Sequence, residues 1–235
     1  IPGCVETTDR ARPVGPRINF LKFSRKTLKP IICFIDDSNF EHDLVRYEIA
    51  PCAPYFQFVQ AYTFGEAKTL LGNAVPSLFL LDLWGQDETV TNPHVTPMED
   101  VRGKIAGFPS LEGVYAGLDD FKGDVNNEYL KRFFAIVDSW RSLFEGVCDK
   151  IGQNRKYGLS NLHQVRKHYP EVPAVFYTRK SLISDAVAMF KARADGLFIK
   201  PTGKTNDETH RLTRENAPLL LKDLERIMAN FPAGR

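Results

Sequence analysis

The sequence predicts a doubly wound α/β fold, a five-stranded parallel sheet covered by helices on both faces and broken by one helical insertion. Three observations carry this. Apolar strand candidates alternate with helix candidates along most of the 235-residue chain. The strands read as continuous apolar runs, such as "IICFI" and "SLFLL", which is the pattern of strands buried on both faces. Several of these runs end on an acid, a hydroxyl or a lysine, groups a buried strand can carry cheaply only at its end.

The elements follow in order. "IICFI" (31–35) is the first strand. Residues 38–50 are helical, with Ser38 as a cap, Phe40, Leu44, Val45 and Tyr47 at helical spacing, and Pro51 and Pro54 as a stop. "FQFVQ" (56–60) alternates as the second strand. A helix over 63–73 opens on Thr63, with Glu66 completing a capping box, and ends at Gly72-Asn73. "SLFLLD" (77–82) is the third strand. Residues 83–125 are rich in Gly, Pro and acids and show weak periodicity, whereas 126–151 form a long amphipathic helix. Alternation then resumes: helix 158–169, strand 173–178, helix 181–194, strand 196–200 and a last helix over about 209–229.

Composition excludes a few classes. No apolar run approaches the roughly 20 residues that cross a bilayer. The N-terminus "IPGCVETTDRARPVGPR" has neither an initiator Met nor an apolar signal segment. Net charge is +2, but residues 1–30 hold seven Lys/Arg and two acids, so the rest of the chain is mildly acidic. A basic extension over 1–29 is the only hint of nucleic-acid contact, and a solvated tail explains it as well. Cys4, Cys33, Cys52 and Cys148 show no CxxC or metal spacing, which fits a reducing, cytoplasmic setting.

In a doubly wound sheet the ligand site lies beyond the carboxyl ends of the strands. Here those ends carry Asp36-Asp37, Asp82, Thr178 and Lys200-Pro201. Each alone has an ordinary reading: a helix cap, a strand end, a solvated cation. Together, three carboxylates repel one another unless a cation sits among them. All-oxygen ligation suits Mg²⁺ or a similar hard ion. Lysine and threonine can hold an incoming anion. A metal, a lysine and a carboxylate nucleophile are the parts that phosphoryl transfer needs.

These residues match a family. "FIDDS", "LFLLDL", "AVFYT" and "GLFIKP", with Asp37 and Asp82 45 positions apart and Thr178 and Lys200 22 apart, resemble the receiver domain of bacterial two-component response regulators. The resemblance covers about 30–85 and 157–230, within a receiver unit spanning 30–230 and interrupted by an insertion over 86–156. It implies a flavodoxin-like sheet of order 2-1-3-4-5. It implies that Asp82 accepts a phosphoryl group from a phosphohistidine of a histidine kinase or phosphotransfer protein. Asp37 directly, Asp36 partly through water, Asp82 and the backbone carbonyl of Trp84 would hold Mg²⁺ or Mn²⁺. Lys200 would pair with the phosphoryl group, its bond to Pro201 would be cis, and Thr178 would move to report the phosphoryl group. Such a module is not a turnover enzyme, although it can catalyse its own phosphorylation and dephosphorylation.

The chain departs from the family at several points. Where an aromatic residue is usual, three before the lysine, stands Leu197, with Phe198 one step on and therefore on the opposite face. Arg179 and Lys180 follow the threonine in place of a small residue, and can attract phosphate or crowd it. Trp84, after the acceptor, can shield a phosphoaspartate or pack under the insertion. Asp82 and Thr178 are 96 positions apart, far beyond the family's usual interval. Within the insertion, Leu130, Phe133, Val137, Trp140, Phe144, Val147 and Ile151 make an a/d seam. That face is expected to bury against the chain's own body, with a partner or a second copy as the alternative. Residues 86–125 are expected to cover the acceptor.

After Pro201 only one helix's worth of sequence remains, so output is expected through protein contact. Two rivals stay open. One is a module that keeps the fold without the chemistry, favoured by Arg179 and Leu197. The other is a Mg²⁺-dependent phosphatase or nuclease using His94 or Asp119-Asp120 as an added acid or base.

Overall fold

The structure is a computed structural model that describes residues 29–87, 89–179 and 183–231. The expected basic extension therefore lies, but for Lys29, outside the described residues. The chain order is β1 (Ile31–Ile35), α1 (Asn39–Leu44), β2 (Gln57–Ala61), α2 (Phe64–Leu71), β3 (Leu78–Leu81), β4 (Gly85–Gln86), α3 (Met98–Ala106), α4 (Leu111–Tyr115), α5 (Val125–Lys150), β5 (Gln153–Asn154), α6 (Lys156–His168), β6 (Ala174–Thr178), α7 (Ile183–Lys191), β7 (Gly196–Ile199) and α8 (Asn206–Asn230). Five strands form one sheet in the order β2-β1-β3-β6-β7, and every pair in it is parallel. Counted along the main sheet, this is the expected 2-1-3-4-5. No helix among the described residues is long and apolar enough to cross a membrane.

The two-residue period of a strand divides each apolar run between two cores. Cys33, Ile35, Phe79, Leu81 and Phe176 face one way and pack with α2, α6 and α7. Ile32, Phe34, Leu78, Leu80 and Val175 face the other way and pack with the end of the first helix and α8. This double burial is why the runs are apolar at every position.

Local signals set the helices, with some differences from expectation. Ser38 makes no side-chain cap; its backbone N–H instead donates to Asp36 Oδ1. The expected helix over 38–50 changes after Leu44 into a wide turn over Val45–Ile49 and a tight one over Ala50–Cys52. Pro51, which lacks an N–H, prevents regular α continuation. Thr63 caps α2 through the Glu66 N–H, while the Glu66 carboxylate reaches back to the Tyr62 N–H, one residue earlier than in the usual box. Thr205 caps α8.

The insertion is more ordered than its weak periodicity suggests. It contains α3 and α4, which are too short to show a clear period, and its two ends meet as an antiparallel ribbon of β4 and β5. The long helix forms as expected, but its burial does not. Only Leu143 and Cys148 on α5 are buried. The seam residues Leu130, Phe133, Val137, Trp140 and Phe144 stay 38–51% exposed. The reason is reach. A 26-residue helix is about 39 Å long, whereas four- and five-residue strands span roughly 13–17 Å, so α5 extends past the body that was expected to cover it.

Candidate functional site

The sheet's hydrogen-bond ladder continues into the polar residues at its carboxyl edge. The Asp36 N–H donates to Ala61 O at 3.1 Å, the Asp82 N–H to Ile35 O at 2.9 Å, and the Lys200 N–H to Thr178 O at 3.0 Å. The backbone thus fixes these side chains before any contact among themselves. They open into a cavity of about 360 Å³ lined by Asp36, Asp37, Ser38, Glu41, Asp82, Trp84, Gln153, Thr178, Arg179 and Lys200.

Lys200 is at the centre. Its Nζ lies 2.5 Å from Asp36 Oδ2, 2.9 Å from Asp82 Oδ1 and 3.5 Å from Glu41 Oε2. The rings of Phe34 and Tyr177 stand 5.8 and 5.7 Å from it. The Thr178 hydroxyl hydrogen-bonds the Asp82 carboxylate. Burial pushes the Asp36 carboxyl up to about 7, helped by Asp82 and Glu41 and opposed by Lys200. Burial also raises Asp82, against the pull of Lys200 and Thr178. Burial alone would depress Lys200, but Asp82, Asp36 and Glu41 outweigh it and hold the ammonium above the usual lysine range.

Asp37 is held from the insertion. Its Oδ2 accepts the Gln86 N–H at 2.8 Å and the Gln153 amide at 3.0 Å. The ends of the insertion therefore border the cavity, and among the described residues of 86–125 no side chain lines it. The expected cover over 86–125 is corrected to a ribbon beside the acid pair. Trp84 packs against the insertion, one of the two readings weighed for it. It lines the cavity, and its ring packs edge-on against Phe144 of α5 at 5.6 Å between centroids.

The remaining expectations divide. Arg179 overhangs the rim, bound to Glu41 at 2.7–2.8 Å, to Thr202 Oγ1 at 3.1 Å and to the Pro201 carbonyl. Lys180 lies outside the described residues. Leu197 and Phe198 pack into opposite cores, as a one-step shift on a strand requires. The Lys200–Pro201 bond is trans, not cis; trans is the lower-energy isomer before proline. His94, Asp119 and Asp120 are exposed and do not line the cavity, which removes the added acid or base of the phosphatase or nuclease reading.

Sequence reasoning missed three contributors: Glu41, Gln86 and Gln153. Glu41 had a signal. It lies four residues after Asp37, one helical turn on, at the start of α1. The glutamines had none, since only tertiary pairing of β4 with β5 brings them to Asp37.

One glycine is essential to this arrangement. A Cβ on Gly158 would fall 2.4 Å from Asp82 O and 2.6 Å from Leu83 Cα, and its N–H donates to Leu83 O at 3.0 Å. Only glycine lets α6 run this close behind Asp82.

The donor set fits a divalent cation. Asp36, Asp37 and Asp82 each offer an oxygen, and these atoms lie within 4.8 Å of one another. Four carboxylates line the cavity against the two cations Lys200 and Arg179, which leaves a formal deficit of two positive charges. Such hard oxygen ligands suit Mg²⁺ or Mn²⁺.

No family model matches the chain, and no curated protein matches it in sequence. Solved structures to which the chain is similar include receiver domains and response regulators. A CheY-like receiver domain protein from Methanospirillum hungatei is 13% identical, with 86% of this chain and 98% of that one covered and a TM-score of 0.42. A response regulator from Thermotoga maritima is 13% identical, with 86% and 99% covered and a TM-score of 0.44. The HemR receiver domain from Leptospira biflexa is 14% identical, with 88% and 100% covered and a TM-score of 0.44. At such identities no residue role carries over by correspondence.

Proposed function

We propose that this chain is a phospho-accepting receiver of a two-component phosphorelay, with Asp82 as the acceptor. The observation that carries the reading is the bridge of Lys200 between Asp36 and Asp82, with the Thr178 hydroxyl on the same Asp82 carboxylate. A carboxylate oxygen of Asp82 attacks phosphorus as the P–N bond of a phosphohistidine donor breaks, and the imidazole nitrogen leaves with the bonding pair. Lys200 and Thr178 then hold phosphoryl oxygens, the lysine by charge and the hydroxyl by donation. Asp36, Asp37, Asp82 and the Trp84 carbonyl would bind Mg²⁺ or Mn²⁺, which supplies further charge neutralisation. The module works in a reducing, cytoplasmic setting and passes its signal on by protein contact rather than by turnover of a substrate.

Titration with beryllofluoride and Mg²⁺ by calorimetry tests this. Binding that needs both the metal and Asp82 is expected, and its absence contradicts the proposal. One observation favours the second reading, a module that keeps the fold alone: Asp37 Oδ2 already accepts two donors from the insertion. That reading predicts no binding in the same titration.

A further inference from the structure

We infer that α5 is the surface through which two copies of this chain pair antiparallel, about a two-fold axis near Val137 and Asp138. The inference stands apart from the phosphoryl chemistry. Leu130, Phe133, Val137, Trp140 and Phe144 recur along α5 at steps of three, four, three and four, and Phe134 widens the stripe. These six side chains are 38–59% exposed. The stripe runs for about 21 Å of helix. Soluble monomers rarely leave so continuous an apolar patch in water. The three-four alternation is the seam of a two-helix contact, whose 3.5-residue period keeps it facing a helix of the same kind.

Other positions along α5 are already engaged. Arg132 donates to the carbonyls of Val114 and Ala116, Tyr129 meets Tyr115, and Leu143 and Cys148 are buried. Phe133, Trp140 and Phe144 touch Tyr129, Phe108 and Trp84, yet the stripe stays 38–59% exposed.

Charges along one flank of the stripe select the occupant and its direction. Lys131, Asp138 and Glu145 are spaced seven apart, so they hold one position in three successive heptads. A parallel copy would set Lys131 against Lys131 and Glu145 against Glu145. An antiparallel copy centred at Asp138 sets Lys131 against Glu145 of the second copy, twice, because both lie seven residues from the centre. Lys131 is available for this: its side chain is 78% exposed, with only a 3.8 Å approach to Glu128. The one like-charged meeting, Asp138 with its own copy, is relieved by Arg141, whose guanidinium lies 3.2 Å from Asp138. The surface is therefore self-complementary under a two-fold axis, and a contact of that kind closes at two copies.

Sedimentation of the full chain over a concentration series tests the pairing. The parent is expected to show the dimer mass and Val137→Glu the monomer mass, with an unchanged circular dichroism spectrum. Lys131→Glu and Glu145→Lys are each expected to raise the dissociation constant roughly two- to tenfold. The double variant restores it, because only antiparallel pairing rebuilds both opposite-charge contacts. Val137→Cys, once oxidised, is expected to give a linked dimer that the parent does not, a readout that holds even if Val137→Glu misfolds. A monomeric parent, a dimer that survives Val137→Glu in a folded chain, or charge reversals that do not rescue each other would each overturn the proposal.

Discussion

The Gln153 amide donates to Asp37 Oδ2 at 3.0 Å, although the two residues are 116 positions apart. The far end of the insertion thus orients a carboxylate at the tip of the first strand. Hydrogen bonds to a ligating carboxylate fix its direction, and losing one typically costs ten- to a hundredfold in metal affinity. Gln153→Ala is expected to weaken Mg²⁺ binding by about tenfold, at the low end because the Gln86 N–H remains. Calorimetric titration of the metal reads it, and unchanged affinity would show that the insertion does not position Asp37.

Lys200 is the cation that Asp36, Asp82 and Glu41 share. Lys200→Ala is expected to destabilise the fold by about 3 kcal/mol near neutral pH, the low end for breaking a buried ion pair, because the cavity opens to water. Added Mg²⁺ restores part of this and a chelator removes it again. The loss is also expected to shrink in acid. Asp36 is raised in the fold from 3.8 to about 7, so its neutral form favours folding fully below about pH 4, and that contribution is lost as pH rises through 7. Urea unfolding at several pH values, with and without Mg²⁺, measures all three effects.

Gly158→Ala is expected to destabilise the protein by about 1–3 kcal/mol. Helix propensity favours alanine by roughly 1 kcal/mol, but the new Cβ would meet backbone atoms of Asp82 and Leu83 that have no way to rotate aside. A urea midpoint at or above the parent's would mean that α6 can retreat from Asp82 without cost.

Glu48 tests how the last helix is fastened. Its carboxylate is buried, 2.6 Å from Arg214 Nε and 2.8 Å from His210 Nδ1. Burial pushes the carboxyl up, but the bonds from Arg214 and His210 outweigh it and hold it below its ordinary 4.5. A lowered acid contributes stability that is complete above its unfolded value and is lost as pH falls through the folded one. Glu48→Gln is expected to cost about 1–2 kcal/mol at neutral pH, and the gap to the parent should close as pH falls below about 4.5. A gap that persists in strong acid would assign the loss to packing instead.

Asp36, Asp37, Asp82, Thr178 and Lys200 were legible in the sequence because each ends, or directly follows, an apolar run, and a parallel sheet gathers such ends on one edge. Glu41 was less so, because on an amphipathic helix an acid reads as solvated until its place one turn after Asp37 is noticed. Gln86 and Gln153 had no local pattern, since pairing between distant segments leaves none. The α5 stripe showed its apolar face but not what would cover it, because periodicity gives a helix's orientation and not the length of the body beside it. The trans bond before Pro201 was not readable either, as the two isomers differ by only about 0.5–1 kcal/mol.

The central claim is that Asp82 accepts a phosphoryl group. Intact mass spectrometry after incubation with a small phosphoryl donor and Mg²⁺ tests it most directly. The parent is expected to gain the mass of one phosphoryl group, and Asp82→Asn to gain none. A parent whose mass does not change, or an adduct that persists in Asp82→Asn, would contradict the account.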